Sequence, residues 1–207
     1  MMHETALNSA TRSVFEKLRH ASFLKKFYLA GGTALALQYG HRESVDLDFF
    51  CAKPFKTETL IAAISKLGKF KLVNEEENTV DGVLDGVKVS FFTYPYKLLR
   101  KTKMFEGVAV ASVVDIACMK INAIAGRNAR KDFVDLYFIL DHEGWRVEDV
   151  LHLCNKKFGA GARDPYHILK ALVFFEEADG QPEVASKPIV KWIRVKKFFV
   201  NEVEGIQ

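Results

Sequence analysis

Two aspartates one residue apart, Asp46 and Asp48 in VDLDFF, are the residues of this chain best placed to do chemistry. On an extended strand, residues two apart share a face, so both carboxylates are expected to point one way while Val45, Leu47 and Phe49 point the other. Carboxylates held that close repel each other, and a hard divalent cation such as Mg²⁺ removes the repulsion while leaving coordination positions for phosphate oxygens. Upstream, Gly31-Gly32 permits close approach of backbone to a ligand. A helix expected from Thr33 would present free N–H groups and a positive dipole end beside it. A phosphate cradle facing a carboxylate pair is equipment for nucleotide chemistry. Taken singly, a glycine pair is more often a simple turn, and an Asp-x-Asp can blunt an exposed edge strand; the combination carries the argument.

The elements that must position these residues follow from pattern. A helix is expected over Ser9–Phe23, a strand over Phe27–Ala30, a tight glycine turn, a helix over Thr33–Tyr39 ended by Gly40, and a strand over Val45–Phe50. Thr57–Leu67 has an apolar stripe, with Thr57 as its cap and Gly68 as its stop. FKLV, a charged EEEN turn and two strands joined by Asp85-Gly86 follow, the last being VKVSFFTY, Val87–Tyr94. Beyond Ser112 the pattern turns helical: Ile116–Ala125 behind a Ser112/Asp115 capping box, Asp132–Leu140, Val147–Phe158, Pro165–Ala178 and Pro188–Val203. The expected fold class is α+β, a small mixed sheet over residues 1–111 followed by a C-terminal helical lobe over 112–207.

Composition narrows the alternatives. The 207 residues are 49% hydrophobic and 27% charged, which suits a folded core and argues against disorder. No apolar run approaches the ~20 residues that span a bilayer, and the N-terminus lacks a signal-peptide stretch, so no membrane partner is expected. Three widely spaced cysteines, Cys51, Cys118 and Cys154, fit buried thiols in a reducing, cytoplasmic setting. The six histidines show no zinc-ligand spacing, and no G-x-S-x-G elbow or Walker A sequence occurs. The net charge of +4 is compatible with an anionic partner and decides nothing alone.

Gly31-Gly32, thirteen intervening residues and Asp46-Leu47-Asp48 together resemble the signature of the DNA polymerase β-type nucleotidyltransferase superfamily. GGTAL followed by Arg42, Ser44, Asp46, Asp48 and Phe49 is similar to the AbiEii/AbiGii-type nucleotidyltransferase toxin family. A second block, MKINAIAGRNARKDFVDLYFIL, resembles that family's downstream motif through Lys120, Lys131-Asp132 and Asp135. The resemblance implies a polymerase β-like domain with a helical lobe completing its site. The activity it implies is Mg²⁺-dependent transfer of an NMP from an NTP to an RNA acceptor, foremost tRNA, by a cytoplasmic toxin with a cognate antitoxin partner.

On that reading Asp46 and Asp48 are metal ligands and catalytic. Gly31, Gly32, Thr33, Arg42 and Ser44 bind the nucleotide, and Lys120, Asp132 and Asp135 complete the catalytic set. A two-metal site would call for a third strand carboxylate, and the position offered for it is Ser90. Lys120 can equally be a solvated residue on an apolar helix, and Asp132 and Asp135 can simply pair with Arg130 or Lys131. The cations of KPIVKWIRVKKFF suit RNA, but its aromatic spacing fits first a helix docking Ile189, Trp192, Ile193 and Phe199 into the core. His41 is expected as an exposed loop residue. Transfer of NMP to a protein hydroxyl, and a degenerate, non-catalytic binding module, are the competing functions.

Overall fold

The computed structural model describes residues 2–159 and 164–206. The chain packs as two compact units, Met1–Lys97 with Lys101–Ser112, and Leu98–Arg100 with Val113–Gln207.

The first unit is a seven-stranded mixed sheet with helices. Its elements are α1 (Ser9–Arg19), β1 (Tyr28–Ala30), α2 (Gly31–Tyr39), β2 (Leu47–Cys51), α3 (Thr57–Ile64), β3 (Phe70–Glu76), β4 (Thr79–Leu84), β5 (Val87–Thr93), β6 (Lys103–Phe105) and β7 (Val108–Val110). The sheet order is β3-β4-β5-β2-β1-β7-β6. β2 sits at its centre, antiparallel to β1 and parallel to β5. Asp85 and Gly86 both adopt positive φ (48° and 87°), the turn that matches strand twist, and β4 and β5 pair directly away from it. β6 and β7 go beyond the expected sheet; they are three residues each, too short to show alternation, and their Glu106-Gly107 turn again has positive φ at both residues.

Several expected boundaries shift. The first helix stops at Arg19, and Ser22–Lys26 forms a separate 3₁₀ turn. Thr57 is not a cap: Lys56 holds that position without a side-chain bond, and the helix ends at Ile64. The core of this unit is aromatic. Phe49 and Phe91 are fully buried and stack at 5.2 Å, and Phe27 meets Phe91 edge-on at the same separation. Each such ring contributes about 1.5–3 kcal/mol by leaving water.

The second unit holds α4 (Val113–Arg127), α5 (Arg130–Glu143), α6 (Val147–Phe158), α7 (Pro165–Leu172), the short α8 (Glu176–Asp179) and α9 (Trp192–Glu204). Phe133, on α5, lies within 5.4–5.6 Å of Phe175, Trp192 and Phe199. Pro165–Ala178 is thus two helices, and Pro188 precedes α9 instead of opening it. Asp115 does more than a capping residue would. Fully buried, it accepts from the N–H groups of Leu99 and Arg100 and from Lys157 Nζ at 2.7 Å. Lys157 is buried with it, a cation that amphipathic spacing on α6 did not flag. All three cysteines are free and buried.

Candidate active site

The approach to the carboxylate pair begins at the β1–α2 junction. Gly31 has φ +67°, a conformation that costs a residue with a side chain. A Cβ there would lie 2.8 Å from Asp48 Oδ2, so two independent constraints require glycine. Rather than forming a separate turn, Gly31 and Gly32 are the first residues of α2. The helix therefore starts beside the carboxylate, with its unsatisfied N–H groups in the first turn.

Asp46 and Asp48 are held by different means. Asp48 lies on β2, where Leu47, Phe49 and Cys51 are buried and Asp48 and Phe50 half-buried. Asp46 precedes the strand, and Val45, expected on the buried face, is 54% exposed because pleating has not begun there. Asp46 is fixed instead through its backbone. The Thr33 hydroxyl donates to the Asp46 carbonyl and bonds the Ser44 hydroxyl at 2.7 Å, both side chains being buried. Thr33, expected at the phosphates through the helix start, and Ser44, expected to bind phosphate, also brace the 42–46 loop onto α2 through these hydroxyls. Arg42 is 9% exposed and donates from Nη1 to the Glu43 carbonyl at 3.0 Å. His41, expected in solvent, is buried and meets Tyr39 edge-on.

The pair has the donor set of a hard-cation site. Two carboxylates contribute oxygens, a glycine leaves room against one of them, and a helix start lies alongside for phosphate. Among the described residues no group of three or more His, Cys, Asp or Glu side chains could hold a metal ion. The residue opposite Asp48 on β5 is Ser90.

In the helical unit, the second motif block forms a buried charge cluster. Lys120 Nζ lies 2.7 Å from Asp132 Oδ1 and 2.6 Å from Asp135 Oδ2. The Lys120 side chain is 5% exposed and both carboxylates are fully buried, so the reading of Lys120 as a solvated residue does not hold. Arg127, one α4 face along from Lys120 and 60% exposed, reaches back to Asp132 with Nε at 2.8 Å. Burial opposes ionisation of Asp132, but the Lys120 ammonium and the Arg127 guanidinium outweigh it and hold the carboxyl below its usual range.

The neighbours proposed as ordinary ion-pair partners are engaged elsewhere in Arg130's case. Its guanidinium donates to the carbonyls of Ala178 and Asp179 and lies 5.2 Å from the Trp192 ring centre. The C-terminal segment divides as well. Trp192 and Phe199 are buried as expected, while Ile189 (88%) and Ile193 (53%) are exposed alongside Lys187, Lys191, Arg194 and Lys197.

A nucleotidyltransferase fold carrying these motifs defines the class, and the comparisons define the family. The chain belongs to the family of nucleotidyl transferase AbiEii toxins of type IV toxin–antitoxin systems, whose model matches residues 12–104 and 87–192. It is 39% identical over 202 residues to the uncharacterized protein aq_aa25 of Aquifex aeolicus, with 96% of each chain covered. Among solved structures, JHP933 from Helicobacter pylori superposes with a TM-score of 0.57 at 17% identity, over 99% of this chain and 92% of that one. A putative nucleotidyltransferase from H. pylori gives 0.55 at 17%, over 93% and 89%. At that identity the likeness speaks for the fold. No helix among the described residues is long and apolar enough to cross a membrane.

Proposed function

We propose that this protein transfers an NMP from an NTP to an RNA acceptor, foremost tRNA, in a Mg²⁺-dependent reaction, as the toxin of a pair with a cognate antitoxin. The observation that carries this reading is the placement of Asp48 against Gly31 at the start of α2, with Asp46 held beside it by the Thr33–Ser44 bracket. Asp46 and Asp48 would hold Mg²⁺, which when bound neutralises charge developing on the transferred and leaving phosphates. Gly31, Gly32 and the backbone of Thr33 receive phosphate at the helix start. Arg42 and Ser44 bind phosphate from the 42–46 loop, and the Thr33 hydroxyl also holds the Asp46 backbone in place.

Lys120 supplies positive charge for phosphate, with Asp132 and Asp135 fixing its ammonium. One of the two aspartates takes the proton of the acceptor hydroxyl. The exposed cations Lys187, Lys191, Arg194 and Lys197 favour a polyanionic acceptor. The test is incubation with Mg²⁺, each α-³²P-labelled NTP and total tRNA, beside the Asp46→Ala/Asp48→Ala variant. Label on RNA that disappears in the variant is expected. Label on protein in its place would move the acceptor to a protein hydroxyl, and absence of transfer to RNA or protein with every NTP would leave a binding module.

A further inference from the structure

Strand register shows what the carboxylate pair faces across the sheet. Asp48 on β2 stands opposite Ser90 on β5, and Ser90 stands opposite Asp81 on β4. Directly opposed residues in neighbouring strands project to the same side of a sheet. Asp48, Ser90 and Asp81 therefore form one row, with Ser90 in the middle. Burial on β5 agrees: Val87, Val89 and Phe91 occupy the core side, placing Ser90 on the opposite side with Lys88 and Phe92. On β4, Val80 and Leu84 are buried while Asp81 is half-buried.

Ser90 is the anomaly in this row. It is 1% exposed, and its hydroxyl is buried without a hydrogen-bond partner. Leaving such a group unsatisfied costs about 1–3 kcal/mol, so a buried hydroxyl of this kind calls for a polar partner. It stands between two carboxylates, one of them belonging to the pair assigned to Mg²⁺. Strand spacing puts Asp81 about 10 Å from Asp48, Cα to Cα, too far for comfortable direct ligation by both across an intervening residue. A carboxylate that binds a metal-held water sits roughly 4 Å from the ion and needs no such reach. Mg²⁺ keeps several waters in most of its sites, so ligands of its water shell matter.

We propose that Ser90 and Asp81 complete the cation site from one and two strands away, the Ser90 hydroxyl and the Asp81 carboxylate holding water bound to the divalent ion on Asp46 and Asp48. This rests on the proposed role of the pair and replaces the missing third carboxylate with a water-mediated one. The position has a structural logic. A serine opposite Asp48 puts a short polar side chain in the row, and the Asp85-Gly86 turn fixes Asp81 to face it.

The test uses Mn²⁺ alone, titrated into the full-length protein and followed by the free-ion EPR signal, so that no activity is needed. Asp81→Asn is expected to weaken Mn²⁺ about tenfold, in line with other water-shell partners, whereas Asp141→Asn, an exposed charge on α5, leaves it unchanged. Ser90→Asp supplies a direct ligand and is expected to tighten Mn²⁺. In that background Asp81→Asn loses its effect, a non-additivity that simple charge removal does not produce. Melting curves confirm folding of each variant, and Asp81→Asn alone remains decisive should Ser90→Asp not fold. An Asp81→Asn affinity equal to that of Asp141→Asn overturns the inference. If Asp48→Asn then still loses Mn²⁺, the pair's own role stands. A wild-type protein that binds no Mn²⁺, with or without ATP, overturns both.

Discussion

The two motif blocks solve the problem of grouped carboxylates in opposite ways. In the helical unit, Asp132 and Asp135 are fully buried, and their compensation is built in: the Lys120 ammonium bonds both, and Arg127 bonds Asp132. In the sheet unit, Asp46 and Asp48 are half-buried, and among the described residues no group of three metal-ligating side chains forms around them. What supports them is backbone geometry, the Gly31 approach and the Thr33–Ser44 bracket. The difference is one of burial: one cluster is sealed among helices, the other stands partly in solvent. The first sets two cations against two carboxylates and holds the Lys120 ammonium in a fixed place. The second, half-buried beside Gly31 and the start of α2, keeps one side toward solvent.

That contrast can be broken at either end. Its strongest test is Asp46→Ala/Asp48→Ala, expected to reduce nucleotidyl transfer by roughly a hundredfold or more, since a metal site supplies several kcal/mol of charge stabilisation. A melting curve of the variant tells lost chemistry from lost structure. Lys120→Ala should act chiefly on stability. It strands two buried carboxylates, and chemical denaturation should show a loss of about 3–5 kcal/mol.

Acid titration sharpens the same point. The native carboxyl of Asp132 ionises below its unfolded range, so its stabilisation is complete above that range and is lost as pH falls through the depressed native value. Melting temperature followed from pH 7 downward should therefore drop steeply at the acid end, and Asp132→Asn should flatten that limb while lowering stability at neutral pH. Gly31→Ala is expected to cost about 1–2 kcal/mol through its positive φ. It should also weaken Mn²⁺ by displacing Asp48. The smallest effect belongs to Ile193→Ser, within about 0.5 kcal/mol by denaturation, as befits an exposed position.

Much of this was legible in the sequence because each signal was local. Gly31-Gly32, Asp46 and Asp48 sit within one strand–helix–strand stretch, and spacing alone gave their proximity. The Asp85-Gly86 turn was equally readable, and counting back from it pairs Asp81 with Ser90. That step needed the hairpin register, not any property of Asp81 itself. Lys120 stayed ambiguous because a lysine on an apolar helix looks the same whether it meets water or two carboxylates on another helix. Asp115 and Lys157 were missed for the same reason: their partners lie 42 residues apart in sequence. The hydroxyl bracket is not legible in the sequence, because Thr33 and Ser44 suit phosphate as well as they suit each other. The exposed Ile189 and Ile193 show the limit of periodicity: Ile189 precedes the helix that begins at Trp192, and Ile193 lies within it on an exposed side.

The three residues Leu98–Arg100 belong with the helical unit although both flanks belong with the sheet, and Asp115 holds two of their peptide N–H groups. The chain therefore passes between the units three times, at 97–98, 100–101 and 112–113. A gene broken at a single point cannot separate them cleanly. Recombination that carried off the helical half from residue 113 would leave its pinned tripeptide behind and strip Asp115 of two donors. Any transfer of the helical half would have to carry residues 98–100 with it.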